Sequence, residues 1–204
     1  MMVPRAATTE AVRPRVEGER EAEILDAAVE ILIEHGYDRL TMDAVALRAK
    51  ASKATLYRRW SSKQSLVVDA VIRSKKSADP QDVDTGSLRG DLVATFCGHG
   101  GMTERDSTLL LAAVITALHT DPEFATEFRE RFLKPKIELN QRIYERAMAR
   151  GELRKDVDLS VLGPALPGIL LHRSFILGEP ITQATVERVI DAIIMPCATG
   201  CQPS

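Results

Sequence analysis

The sequence predicts an all-α fold, on three observations. Apolar residues recur at three- and four-residue spacing through nearly every segment. No run alternates apolar and polar residues as a half-buried strand would, and no internal repeat is visible. The segments open on Ser, Thr or Asp and close on Gly or Pro, the residues that start and stop helices. At 204 residues, 45% hydrophobic and 27% charged, the chain is long enough for one or two compact domains with real cores.

Residues 1–17 hold no apolar periodicity and read as a flexible arm, with Arg13 and Arg15 either solvated or in reach of phosphates. A first helix runs from about Glu19 to His35. Glutamates crowd its start, Ile24, Ala28, Ile31, Leu32 and His35 form its inward stripe, and Gly36 ends it. Thr41 caps a second helix, whose stripe is Met42, Val45, Ala46 and Ala49. Ser52 caps a third, with Leu56 and Trp60 inward. Only Lys50 and Ala51 separate Ala49 from that cap, so the two helices must cross steeply, as in a helix-turn-helix. Ser61 or Ser62 caps a fourth helix over Lys63–Lys76, with Leu66, Val67, Ala70 and Val71 inward. The head is thus 18–76.

The charges of this head are one-sided. Between Ala44 and Val68 there is no Asp or Glu, but Arg48, Lys50, Lys53, Arg58, Arg59 and Lys63 are present, with hydroxyls at Ser52, Thr55 and Tyr57. A short capped helix with small residues, hydroxyls and cations suits phosphates and base edges. The net charge of −2 hides this, because residues 1–76 carry 14 Lys and Arg against 11 Asp and Glu while the rest carry 13 against 18. A basic head on an acidic body concentrates the attraction for a polyanion at one end.

The span from about Glu19 to Lys76 resembles the DNA-binding domain of the TetR-type (tetracycline-repressor-like) transcriptional regulators. The likeness lies in ILDAAVEILIEHGYDRLTMDAVA and SKATLYRRWSSKQSLV, and in Gly36-Tyr37, Thr41-Met42, Ser52-Lys53, Thr55-Leu56-Tyr57 and Lys63. Two positions depart from the family pattern. Lys50 stands in the turn where Gly is usual, so the turn either takes a left-handed residue at a cost of ~1 kcal/mol or changes shape. Trp60 stands where Phe is more usual. The resemblance implies a homodimeric repressor of double-stranded operator DNA. In it Thr41, Ser52, Tyr57 and Lys63 hold phosphates, Lys53, Thr55 and Arg58 face the groove, and Arg48, Lys50 and Arg59 complete the basic surface.

Beyond a linker over 77–87 (SADPQDVDTGS), residues 88–197 read as a helical body and 198–204 as a flexible tail. Leu88–Cys97 is a short helix closed by Gly98, Gly100 and Gly101. Thr103 or Asp106 opens the next, which carries Leu109, Leu110, Leu111, Val114, Ile115 and Leu118. Asp121-Pro122 is a cap followed by proline at the first helical position, with Phe124, Phe128 and Phe132 four apart behind it. Pro135 breaks or kinks the pattern, and a helix then continues to about Arg150. Leu159–Leu177 and Thr182–Met195 are the most apolar segments. By the resemblance this last pair packs against its copy through Leu162, Leu166, Ile169, Leu170, Val186, Val189, Ile190 and Ile193; core of the single subunit is the other reading. Half-sites ~34 Å apart on a duplex call for such twofold pairing. The resemblance also implies a small-molecule inducer in the body, with Phe96, His99, Met102, Leu110, Phe128, Phe132, Tyr144 and His172 as candidate lining. The scarcity of polar residues on these helices suits an apolar inducer.

The chain shows no Ser/His/Asp arrangement, phosphate-binding Gly loop or metal-ligand spacing, so an enzyme, a cofactor and a metal are not expected. A nonspecific nucleoid or RNA-binding protein is the competing nucleic-acid reading. Cys97, Cys197 and Cys201 form no disulfide framework, which fits a reducing cytoplasm. No stretch of ~18 apolar residues and no secretion signal is present, so no membrane partner is expected.

Overall fold

The computed structural model describes residues 17–76, 83–98 and 101–200, and no strand occurs among them. Arg13, Arg15, His99 and Cys201 lie outside the described residues. The head is α1 (Glu17–His35), α2 (Met42–Arg48), α3 (Lys53–Arg59) and α4 (Lys63–Lys76). Gly36, at φ 78°, takes the left-handed position that stops α1. His35 does not join the inward stripe of α1; it is exposed, with Nε2 3.5 Å from Glu34.

The body holds α5 (Leu88–Cys97), α6 (Arg105–Ile115), α7 (Ala117–Thr120), α8 (Pro122–Phe128), α9 (Lys134–Ala149), α10 (Leu159–Phe175), α11 (Gln183–Val189) and α12 (Met195–Thr199). Asp121 caps α8 by accepting from the Phe124 N–H at 3.0 Å. The expected opening of α6 at Thr103 or Asp106 is displaced to Arg105, with Glu104 as a cap residue that makes no side-chain cap bond. The tail is also shorter than expected: α12 continues to Thr199, Ala198 is buried, and its carbonyl accepts from the Arg154 N–H at 3.0 Å.

Pro135 does not break its helix. α8 and α9 are joined by a π-helical turn, Arg129–Leu133, and a second such turn, Ile190–Ile194, joins α11 and α12 just before Pro196. A proline lacks an N–H and its ring crowds the carbonyl four residues back; widening the preceding turn relieves both. α10 contains Pro164 and Pro167. Pro167 cannot bond the Gly163 carbonyl, and the Asn140 amide of α9 donates to it instead, at 3.0 Å.

Two apolar cores result. The first joins the head (Leu32, Val45, Leu56, Trp60, Leu66) to Leu110, Val114, Phe124 and Phe128 of the body. The second gathers Leu88, Leu92, Ile143, Tyr144, Leu166 and Ile190. The head therefore shares a core with α6 and α8 rather than closing on itself before the 77–87 stretch. Among the described residues one charged side chain is fully buried: Asp91 accepts from the Thr85 N–H at 2.6 Å, from Thr85 Oγ1 at 2.7 Å and from Arg150 Nη2 at 3.2 Å. Although burial opposes it, these donors hold the Asp91 carboxyl below the usual aspartate range.

Candidate nucleic-acid interface

Capping hydroxyls set α2 and α3. Thr41 Oγ1 accepts from the Ala44 N–H at 3.1 Å, and Ser52 Oγ accepts from the Thr55 N–H at 3.1 Å while sharing a 2.8 Å bond with Thr55 Oγ1. Those hydroxyls are therefore engaged in holding helix ends, and both helices present their N-termini intact. Between them, the Lys50 N–H bonds the Leu47 carbonyl at 3.1 Å and the Ala51 N–H bonds the Ala46 carbonyl at 2.8 Å. This is the paired closure of a Schellman turn, which needs a left-handed residue at its apex. Lys50 supplies it at φ 51°, the only positive φ of a non-glycine among the described residues. The same closure follows α9, where the apex is Gly151 at φ 77°. Arg20 of α1 donates to the Lys50 carbonyl and ties the turn down.

α3 buries Leu56 and leaves Lys53, Tyr57, Arg58 and Arg59 exposed, with Thr55 partly covered. Lys53 and Tyr57 are four apart and share a face. Trp60 is buried and donates from Nε1 to Asp69 at 2.8 Å; Asp69 also pairs with Arg131 of the body. A phenylalanine in that position could not make this bond.

Local sequence is free of carboxylates here, but the fold is not. Lys53 Nζ meets Asp43 of α2 at 2.7 Å, which raises the lysine's pKa. Arg48 is held by Glu30 at 3.1 Å and Glu34 at 2.8 Å, and Arg59 by Glu21 at 3.2 Å, all on α1. Arg48 and Arg59 thus face carboxylates of α1, where the sequence placed them on an open basic surface. Lys50 and Arg58 are exposed and form no side-chain ion pair among the described residues. Lys63, at the start of α4, is half-buried with its ammonium 3.9 Å over the Tyr37 ring, and burial lowers its pKa.

Sequence reasoning missed Leu47, the most exposed large apolar side chain of the described residues at 82%. It lies one turn beyond Asp43 on the α2 face that meets Lys53. The signal was there: Leu47 is apolar yet off the Met42–Val45–Ala46–Ala49 stripe. Also missed was the head–body junction. Tyr37 donates to Asp121 Oδ2 at 2.6 Å and Gln64 Nε2 to the same atom at 2.9 Å, beside an open cleft of about 570 Å³ lined by Tyr37, Asp38, Lys63 and 120–123.

The body candidates divide. Leu110 and Phe128 are buried in the first core, with Phe132 at its edge; Tyr144 is buried in the second, with Phe96 and Met102 at its edge. His172 is exposed on α10, so it does not line the interior. Leu162, Leu166, Leu170, Val186, Val189 and Ile190 are buried within this one subunit, as the core reading has them. The reason is rotational: α10 turns Leu162, Leu166 and Leu170 inward, where they share the second core with Val186, Val189 and Ile190. Ile169 is partly covered and Ile193 is 43% exposed. On α10 and just after it, Val161 at 67%, Ile176 and Leu177 are left outside, with Pro164 and Gly168 also exposed along α10.

Among the described residues no helix is long and apolar enough to cross a membrane, and no group of three potential metal ligands occurs. Residues 24–70 match the family described as bacterial regulatory proteins, tetR family, and residues 82–193 match the tetracyclin repressor-like C-terminal domain. An uncharacterized HTH-type transcriptional regulator of Mycobacterium bovis is 40% identical over 184 residues, covering 88% of each chain. The DNA-binding transcriptional repressor TetR of Mycobacteroides abscessus is 35% identical over 180 residues, covering 86% of this chain and 92% of that protein. The crystal structure of a TetR family transcription regulator superposes with a TM-score of 0.68 at 31% identity, covering 91% of this chain and 100% of that one.

Proposed function

This chain belongs to the tetR family of bacterial regulatory proteins, and on that premise we propose that it is a homodimeric, inducer-responsive repressor of operator DNA. One observation carries the reading: α3 stands out from the head with Lys53, Tyr57 and Arg58 exposed along it, its start fixed by the Ser52 cap. Lys53 and Arg58 reach base edges, Thr41, Tyr57 and Lys63 lie against phosphates, and Leu47 offers an apolar contact to a thymine methyl. Ser52 and Thr55 hold one another and act by orienting α3.

Two heads reading one duplex require a twofold partner. The exposed apolar residues Val161 and Ile193 and the Pro164–Gly168 side of α10 supply an interface for it. Repression follows from occupying a site that overlaps a promoter; the similar protein of Mycobacteroides abscessus is a DNA-binding transcriptional repressor. Inducer binding in the body would act on the head through their shared core and the Tyr37–Asp121–Gln64 junction. The chromosome as target puts the protein in the cytoplasm.

Selection of bound sites from random duplex DNA tests this. The expected result is a twofold-symmetric site with half-sites about one helical turn apart. Equal retention of unrelated duplexes at physiological salt would instead identify a nonspecific binder.

A further inference from the structure

The inner side of α9 carries two rows of side chains. Leu139, Ile143 and Ala147 are buried and apolar. Beside them Lys136, Asn140 and Tyr144 recur every four residues and so stand one above another. They continue the line of Phe132, over whose ring the Lys136 ammonium sits at 5.0 Å. The row runs from the edge of the first core, at Phe132, into the second, at Tyr144.

Each polar side chain of this row has a polar atom that no hydrogen bond or ion pair serves among the described residues. Tyr144 is 1% exposed and its buried hydroxyl bonds nothing; burial pushes it up to about 12. The Asn140 amide nitrogen must face the Gly163 carbonyl, an acceptor, so its Oδ1 is turned the other way, buried and without a donor. Lys136 is partly buried, makes no hydrogen bond or ion pair among the described residues, and has its pKa lowered by burial alone. From α5, which packs on α9, Thr95 adds another buried hydroxyl without a partner. Buried polar groups are nearly always bonded, and each that is not destabilises the fold. Water could serve the hydroxyls and the amide. It brings no countercharge for Lys136.

We propose that this row is the effector site, and that the effector is an elongated organic anion. Its carboxylate pairs with the Lys136 ammonium, and a hydroxyl about 12 Å away, the rise over eight helical residues, meets Tyr144 and Asn140. An apolar middle section packs against Phe96 and Met102, which border the second core. This rests on the inducer-responsive reading above, and it replaces the wholly apolar inducer that composition suggests.

The test uses 10-hydroxydecanoate, decanoate and 1,10-decanediol as probes, titrated calorimetrically into the full chain. The hydroxy acid should bind best. Lys136→Met should weaken both acids by about tenfold or more and leave the diol unchanged, while Lys136→Arg should retain the acids. Tyr144→Phe should bring the hydroxy acid down to the level of decanoate and leave decanoate unaffected. Melting curves establish that each variant is folded. Uptake of none of the probes, or equal uptake of all three by the parent chain and Lys136→Met, overturns the site. Fluorescence anisotropy of a selected duplex separates the two claims. A duplex that stays tightly bound while no probe is taken up leaves the regulator standing without this site. A hydroxy acid that binds at the row without releasing the duplex removes the effector role.

Discussion

Lys50 is the residue at which local and global preferences conflict. Its left-handed backbone closes the turn between α2 and α3, a conformation that glycine takes freely and a lysine takes at a cost of ~1 kcal/mol. The closing bonds to Ala46 and Leu47, and Arg20 on the Lys50 carbonyl, keep it there. Lys50→Gly should therefore stabilise the fold by about 1 kcal/mol, raising the midpoint of thermal unfolding by roughly 2–4 °C. The side chain is exposed beside α3, so the same variant should weaken duplex binding and flatten its salt dependence if Lys50 meets a phosphate. A lower melting point would show that the turn does not strain the backbone. Both alternatives for this turn were open in the sequence; the turn accepts the strained residue without changing shape.

Within the helix-turn-helix, α1 and α2 supply the carboxylates that α3 lacks. An exposed ion pair such as Lys53–Asp43 is screened by solvent and exchanges readily for a phosphate or a base when DNA arrives. Asp43→Asn removes a negative charge beside the reading face and frees Lys53. It should tighten binding to specific and unrelated duplexes alike, narrowing the ratio between them, and an anisotropy titration against salt reads both. Lys53→Ala should weaken binding and relax the selected site. If Asp43→Asn leaves every affinity unchanged, Lys53 is not a contact. Helix starts were legible because caps are local: Thr41, Ser52 and Asp121 act on N–H groups two or three residues ahead. Ion pairs between elements were not, since Glu30 and Glu34 are far from Arg48 in sequence.

At the scale of the molecule, the proposed assembly separates core from interface. Val161→Glu combined with Ile193→Glu places charges on side chains that the subunit leaves outside. This pair should shift sedimentation equilibrium from dimer to monomer while helicity is retained, and duplex affinity should fall with it. Leu166→Ala deletes a side chain that the subunit fully buries, and should lower stability by about 2–5 kcal/mol whether or not a partner is present. A dimer that survives the double substitution would move the interface elsewhere. Periodicity marked the last two apolar segments but could not say which side of each faces its own subunit.

What the sequence determined by itself is whatever depends on neighbours within a turn or two: helical class, caps and stops, the tight helix-turn-helix spacing, and the hydroxyl-rich basic stretch that marks the family. Tertiary structure alone decided the rest. It set Asp43, Glu21, Glu30 and Glu34 against the cations, buried Asp91 beneath Arg150, joined the head to α8 through Tyr37 and Asp121, and turned six expected interface residues into the subunit's own core. The physical reason is range. Capping and helix propensity act over a few residues of chain, whereas burial and ion pairing depend on how helices rotate and cross, which only packing specifies.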